Sequence, residues 1–311
     1  MSMKPTLIAA ALAALTLPAT ATAADPLQMY GRLNLVLQAN DIQGESETRV
    51  GSYSSRVGIK GSHQINESLE AFYQAEWGLN VTEGEETFTH RNQFIGLRGD
   101  FGTTTIGRRD TALKRSQGKV DQFNDFEGDF NKIMSGEVRA SQQVSYATPR
   151  LADLFTAEVT YLADDGNKGE HGFSAALMAG DASYRKQPFY AAVAYDSEVA
   201  QRDVLRVTAG AKLAGIELGA IYSDEEVVAG ELNGASGDAF MVSAGYQIGN
   251  GKIKAQYADG DVPARANTSY SVGGEYRLSK QMKVNAYYTT LEWDSKDEDD
   301  SYLGLGLQYD F

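Results

Sequence analysis

The stretch Leu303-Gly304-Leu305-Gly306-Leu307-Gln308-Tyr309-Asp310-Phe311 decides the fold. Leu303, Leu305, Leu307, Tyr309 and Phe311 fall on one side of an extended chain, and Gly304, Gly306, Gln308 and Asp310 fall on the other. Successive side chains of a strand point to opposite faces, so one face here is apolar and the other wet. The same period of two recurs upstream. Met29, Leu33, Leu35 and Leu37 oppose Arg32, Asn34 and Gln38. Leu205, Val207, Ala209 and Leu213 oppose Arg206, Thr208 and Lys212. Phe240, Val242, Ala244, Tyr246 and Ile248 oppose Ser243, Gly245 and Gln247, and Ile253, Ala255 and Tyr257 oppose Lys252, Lys254 and Gln256. No long helical stripe interrupts the alternation.

Sixteen such segments follow, at 27–39, 49–64, 69–81, 88–98, 103–109, 138–148, 154–162, 172–184, 189–196, 204–213, 216–223, 238–248, 252–258, 268–278, 282–292 and 301–311. Short turns such as Gly99–Gly102, Ala214-Gly215 and Gly249–Gly251 alternate with longer polar stretches: Asp41–Thr48, Asp110–Glu137, Glu225–Gly237 and Asp294–Asp300. An even number of strands, with turns at one end and loops at the other, is the pattern of an outer-membrane barrel. The predicted fold is therefore all-β, a 16-stranded antiparallel transmembrane β-barrel that consumes the chain. A secreted β-sandwich also alternates. Against it, the polar face runs through strand after strand, and Tyr30, Trp77, Tyr161, Tyr195, Tyr222, Tyr257, Tyr309 and Phe311 sit near strand ends, where an interfacial girdle belongs.

Composition agrees once that pattern is seen. The 311 residues are 42% hydrophobic and 23% charged. The mean hydropathy of -0.36 would suit a soluble protein. A barrel averages to such values because only half of each strand faces lipid. Lys plus Arg total 28 against 42 Asp plus Glu, a net charge of -14 that argues against nucleic acid. The absence of Cys excludes disulfide scaffolds and thiolate chemistry. Lys4, the apolar run Leu7–Leu17 and Ala21-Thr22-Ala23 read as a cleaved export signal over 1–23, leaving 24–311 as the barrel.

A barrel of about 16 strands is too wide for side chains to fill, so an aqueous lumen follows. Something must narrow it. The candidate is Asp110–Glu137, which carries Asp121, Asp125, Glu127 and Asp129 among Phe123, Phe126 and Phe130. Structureless connections of roughly this length, about 28 residues, are uncommon unless functional. The alternative is a solvated surface loop.

Four stretches resemble the general porins of Gram-negative bacteria: Tyr30-Gly31-Arg32, Ser55–Gly61, the run from Arg91–Leu97 through Phe101-Gly102 to Ile106-Gly107-Arg108, and Gly306–Phe311. The resemblance implies a homotrimer in the outer membrane, with a third external loop folded into each lumen. It further implies a basic wall set, Arg32, Arg56, Arg91 and Arg139, facing an acidic loop set, Asp121, Asp125 and Asp129 with Glu127. Tyr309 and Phe311 would serve as the signal read by the barrel-assembly machinery. The loop departs from the enterobacterial Pro-Glu-Phe-Gly-Gly run, having Asn124-Asp125-Phe126-Glu127-Gly128. Acids elsewhere (Glu45, Glu47, Glu83, Glu85, Glu86, Asp297–Asp300) read as a solvated rim, bridged to lipopolysaccharide by divalent ions, that draws cations to the mouth. Mild cation selectivity is the expectation, opposed by the lumenal Arg and Lys.

The chemistry of an enzyme is not legible. His63, His90 and His171 lie apart along the chain, and no Gly-x-Ser-x-Gly accompanies them. Neither a cofactor nor a metal-ligand spacing is expected. The reading is thus a channel for passive diffusion of small hydrophilic solutes and ions. A substrate-selective porin is the alternative, with a structural, adhesive or hydrolytic barrel behind it.

Overall fold

The computed structural model describes residues 27–84, 87–164 and 171–311. The export signal and the rim residues Glu85 and Glu86 lie outside the described residues. Strand segments form one antiparallel sheet: β1 (Gln28–Ile42), β2 (Glu45–Ser52), β3 (Arg56–Asn66), β4 (Leu69–Leu79), β5 (Phe88–Gly99), β6 (Gly102–Asp110), β7 (Arg139–Ala147), β8 (Phe155–Leu162) and β9 (Gly172–Gly180). The chain continues through β10 (Phe189–Val199), β11 (Arg202–Leu213), β12 (Ile216–Val227), β13 (Ser236–Ile248), β14 (Gly251–Gly260), β15 (Thr268–Arg277), β16 (Met282–Glu292) and β17 (Asp300–Asp310). Chain neighbours pair, apart from β2 and β3, and β17 returns to pair with β1, which closes the barrel. Because β2 and β3 both pair with β1, they are halves of a single stave, and the wall has the expected sixteen. No helix among the described residues is long and apolar enough to span a membrane.

The stave predicted to run through 49–64 is broken at Tyr53–Ser55. Arg32 pairs with Arg56 while Leu35 pairs with Ser52, so three residues there oppose two on β1. This bulge puts Ser54 at φ 52°. Local bonds replace the lost ladder. The Tyr53 N–H donates to the Asn34 carbonyl at 2.9 Å, and the Asn34 N–H donates to Ser55 Oγ at 2.9 Å.

Burial is inverted relative to a soluble protein. On β17, Leu303, Leu305 and Leu307 are 58%, 60% and 48% exposed, while Gly304, Gly306 and Gln308 between them are buried. Leu205 and Val207 face out where Arg206 and Thr208 are buried, and Phe240 and Val242 face out beside buried Ser243. An apolar coat with every backbone group paired inside a closed sheet is what hydrocarbon tolerates. Tyr161, Tyr195, Tyr222, Tyr309 and Phe311 are exposed on that coat, and Tyr257 packs there between Phe240 and Tyr270. Tyr30 departs from the girdle reading. It shares the inward parity of Arg32, and its hydroxyl donates to Glu76 at 3.0 Å.

The seam between first and last strands unites two of the sequence motifs. The Gly31 N–H donates to the Phe311 carbonyl at 2.8 Å, and the Phe311 N–H donates to the Gly31 carbonyl at 3.0 Å. A Cβ on Gly31 would lie 2.3 Å from Phe311 Cζ, so the glycine is the space the ring occupies.

Connections at the rim that bears the long loops are less uniform than predicted. Asp41–Thr48, expected as a loop, is strand on both sides of the two-residue turn Gln43-Gly44, with φ 52° and 76°. Positive φ at both positions is the hairpin turn that matches strand twist. Ala200-Gln201 turns the same way, with φ 52° and 64°. At the opposite, turn-bearing rim, β9 stops at Gly180 instead of running to 184, and the connections 148–154 and 181–188 are comparatively long.

Candidate pore constriction

The connection 111–138 opens with a short helix, α1 (Ala112–Ser116), whose N-cap Thr111 accepts from the Lys114 N–H. Its side chains then supply the apolar core of the molecule. Phe123, Phe126, Phe130, Ile133 and Met134 cluster with Ile221, Met241, Tyr287 and Leu291 of the wall. Polar bonds accompany them. The Gln122 N–H donates to Gln256 Oε1 at 2.9 Å, Gln256 Nε2 donates to the Gly128 carbonyl at 2.9 Å, and Arg206 donates to Glu137 and to the Ser135 carbonyl. These wall groups share the polar face, opposite the lipid coat.

The four predicted arginines stand on β1, β3, β5 and β7: Arg32 and Arg56 face each other on neighbouring staves, and acids stand between Arg56, Arg91 and Arg139. Arg32 Nε donates to Asp310 Oδ1 at 2.7 Å and its Nη1 to Asp125 Oδ2 at 3.2 Å. Arg56 Nε lies 3.8 Å from Glu76 Oε2, and Arg91 Nε donates to Glu76 Oε1 at 2.6 Å. Arg139 Nε is 2.9 Å from Asp110 Oδ1 and donates to Asn92 Oδ1 at 3.2 Å. Their side chains remain 22%, 21%, 20% and 16% exposed, so the row is held by the wall yet open to solvent. Glu76, Asp110 and Asp310 were not singled out in the sequence. Glu76 and Asp310 do fall on the polar parity of their strands, and that was the available signal.

The loop acids divide. Asp125 reaches the arginine row. Asp121 stitches the loop to itself, accepting from the Phe123 N–H at 2.7 Å and the Phe130 N–H at 3.1 Å. Burial pushes its carboxyl up to about 6. Asp129 caps a 3-10 turn at Phe130–Lys132 by accepting from the Asn131 N–H at 2.9 Å. Burial, with the charge of Asp121, raises it well above the usual carboxylate range. Glu127 accepts from Tyr53 Oη and from Lys132 Nζ, each at 2.9 Å, and lies 3.5 Å from Arg49. Burial pushes Glu127 up, but Lys132, Tyr53 and Arg49 outweigh it and hold the group below its ordinary value. Phe126 packs between Tyr53 and Tyr287, with ring centroids 6.1 and 4.8 Å away. The strand break at Tyr53 thus presents the ring and hydroxyl that clasp the loop tip.

A closed barrel with an apolar coat, a wet interior and a charged lumen wall defines the class of outer-membrane channels. Residues 9–297 match the Gram-negative porin family, and the chain belongs to it. Major outer membrane protein P.IB of Neisseria sicca is 25% identical over 371 residues, covering 99% of this chain and 100% of that protein. Among solved structures, an anion-selective porin from Comamonas acidovorans superposes with a TM-score of 0.73 at 18% identity, over 92% of this chain and 100% of that one. The trimer form of OmpT from Vibrio cholerae gives 0.70 at 19% identity, over 93% and 100%. The protein is accordingly an outer-membrane channel for passive diffusion.

Proposed function

We propose that the channel is narrowest between the arginine row and the loop segment around Asp125, and that small hydrophilic solutes and ions diffuse through that slot. The observation that carries the reading is the 3.2 Å contact from Arg32 on the wall to Asp125 on the loop, with Arg56 and Arg91 following along the same wall. Positive groups on the wall and a carboxylate on the loop set up a transverse field, which low-dielectric surroundings keep strong. Water and polar solutes align in it. An apolar solute must displace oriented water and gains nothing in return.

The same reading makes the protein a general, non-enzymatic pore, exported by a leader over 1–23 and assembled as a homotrimer, as the Vibrio cholerae structure is. Phe311, 49% exposed and stacked on Tyr309, is accessible to the assembly machinery. Rim acids such as Glu45, Glu47 and Glu83 meet lipopolysaccharide through divalent ions and attract cations to the mouth, against the lumenal Arg and Lys. Reconstitution in planar bilayers tests this. Stepwise conductance with closures in threes is expected. No channel activity would return the protein to the structural alternative, a solute-specific current block would make it a selective porin, and hydrolytic turnover by the purified protein would overturn the non-enzymatic reading.

A further inference from the structure

A second charged array occupies the polar face of β11 to β16, away from the arginine row. Lys212 and Lys252 donate to the two oxygens of Glu217 at 2.8 and 2.7 Å, and Lys283 donates to Glu275 at 2.8 Å. Lys254 donates to the Gln122 carbonyl at 2.7 Å, with its ammonium 4.6 Å from the Phe123 ring centroid. Four ammonium groups meet two carboxylates. A cavity of about 260 Å³ between the array and loop residues 117–124 is lined by Lys252, Lys254, Glu217 and Glu275 with Lys119 and Asp121, while Lys212 and Lys283 stand beside it, bonded to the same two carboxylates. The lining alone balances at three charges of each sign, and Lys212 and Lys283 beside it bring the array to a surplus of two positive charges. Gly245 makes room for the Lys252 and Gln122 side chains: a Cβ there would come within 2.5 Å of Lys252 Cε and 2.8 Å of Gln122 Oε1.

Lys212, Lys252 and Lys283 adjoin the connections after β11, β13 and β15 at the turn rim, so a solute past the constriction meets them next. Each ammonium has three donors, of which the contacts above use one. A monovalent ion would leave the surplus half-neutralised. A doubly charged oxyanion matches both the charge and the converging N–H groups, and the volume, several times the roughly 30 Å³ share of a water, admits it. Lysines act here as compact point charges, without the planar fork that would select one carboxylate geometry.

We infer that this lysine array is a docking station for small divalent oxyanions, such as inorganic phosphate or a short dicarboxylate, on the turn side of the constriction. The inference rests on the pore reading above. An anion held there stands in the path of chloride, so occupancy reduces chloride current.

The test is single-channel recording at about 0.1 M KCl, where screening extends only ~10 Å. Inorganic phosphate, succinate or acetate is added to either side of the bilayer. A saturable fall in current is expected with phosphate and succinate, but not with acetate, and more readily from the turn side. The double variant Lys252→Gln/Lys283→Gln should keep its conductance steps and bind the blocker roughly tenfold more weakly, about 1.4 kcal/mol. Glu217→Gln, which releases two lysines, should tighten the block. Equal block of the wild type and the double variant, or acetate acting as well as succinate, would overturn the station while leaving the pore reading intact. Absence of steps in the wild type would overturn the pore reading itself.

Discussion

Arg32 divides one guanidinium between its own wall and the loop, giving Nε to Asp310 and Nη1 to Asp125. Ion pairs this exposed are worth only about 0.2–1 kcal/mol, so their value here is positional. A lysine lacks the fork and cannot hold both partners. Arg32→Lys should therefore leave the barrel folded and make the open current noisier, as the loop moves against the wall. Current noise equal to that of the wild type would remove Arg32 as the tether. Asp121 carries a pH prediction. Its carboxyl sits at about 6, above the ordinary aspartate value of ~3.9. A carboxyl whose pKa rises on folding holds its proton more tightly when folded. That stabilisation is complete below pH ~3.9 and is lost as pH climbs through about 6. Hydrogen exchange at the Phe123 and Phe130 amides should be slower at pH 5 than at pH 7.5 after correction for intrinsic rates, and Asp121→Asn should abolish the difference. A difference that survives in the variant would assign it to Asp129 or Glu137, which burial also raises. In the sequence Asp121, Asp125 and Asp129 look alike, because the period of two that sorts wall residues does not apply to an irregular loop.

At the level of elements, the staves were legible because alternation is imposed twice, by lipid outside and water inside. The break at Tyr53–Ser55 was not, since no Gly or Pro marks it and Ser54 carries the positive φ. Nor was the tight turn Ala200-Gln201, where residues without a turn signature adopt φ > 0, and around Gln43-Gly44 the polar run Asp41–Thr48 hid the strands that flank the glycine. The seam is the element most exposed to a single substitution. Gly31→Val would place its side chain on the Phe311 ring and against the Arg56 carbonyl. We expect a folded barrel that converts to the unfolded gel band at a lower temperature, with Gly31→Ala intermediate. Unchanged heat-modifiability in both variants would show that the ring is not needed to close β1 on β17.

For the whole molecule, the net charge of -14 and the mean hydropathy of -0.36 describe neither surface that matters. Lipid meets leucines, valines and aromatics. Solutes meet a wall where Arg139, Asp110, Arg91, Glu76, Arg56, Arg32 and Asp310 follow one another, with the lysine array beyond. Arg32 and Arg56 were readable through parity and motif, Arg91 and Arg139 through motif alone, because alternation is poorer in their strands. The acids between them required the register, which brings Glu76 into reach of two arginines at once. The central claim, a charged slot between that wall and Asp125, is tested most directly by single-channel conductance and salt-gradient reversal potential of Arg56→Ala and Arg91→Ala. The account predicts larger conductance steps and a reversal potential shifted towards cation preference in each variant. Wild-type conductance and reversal potential in both would contradict it.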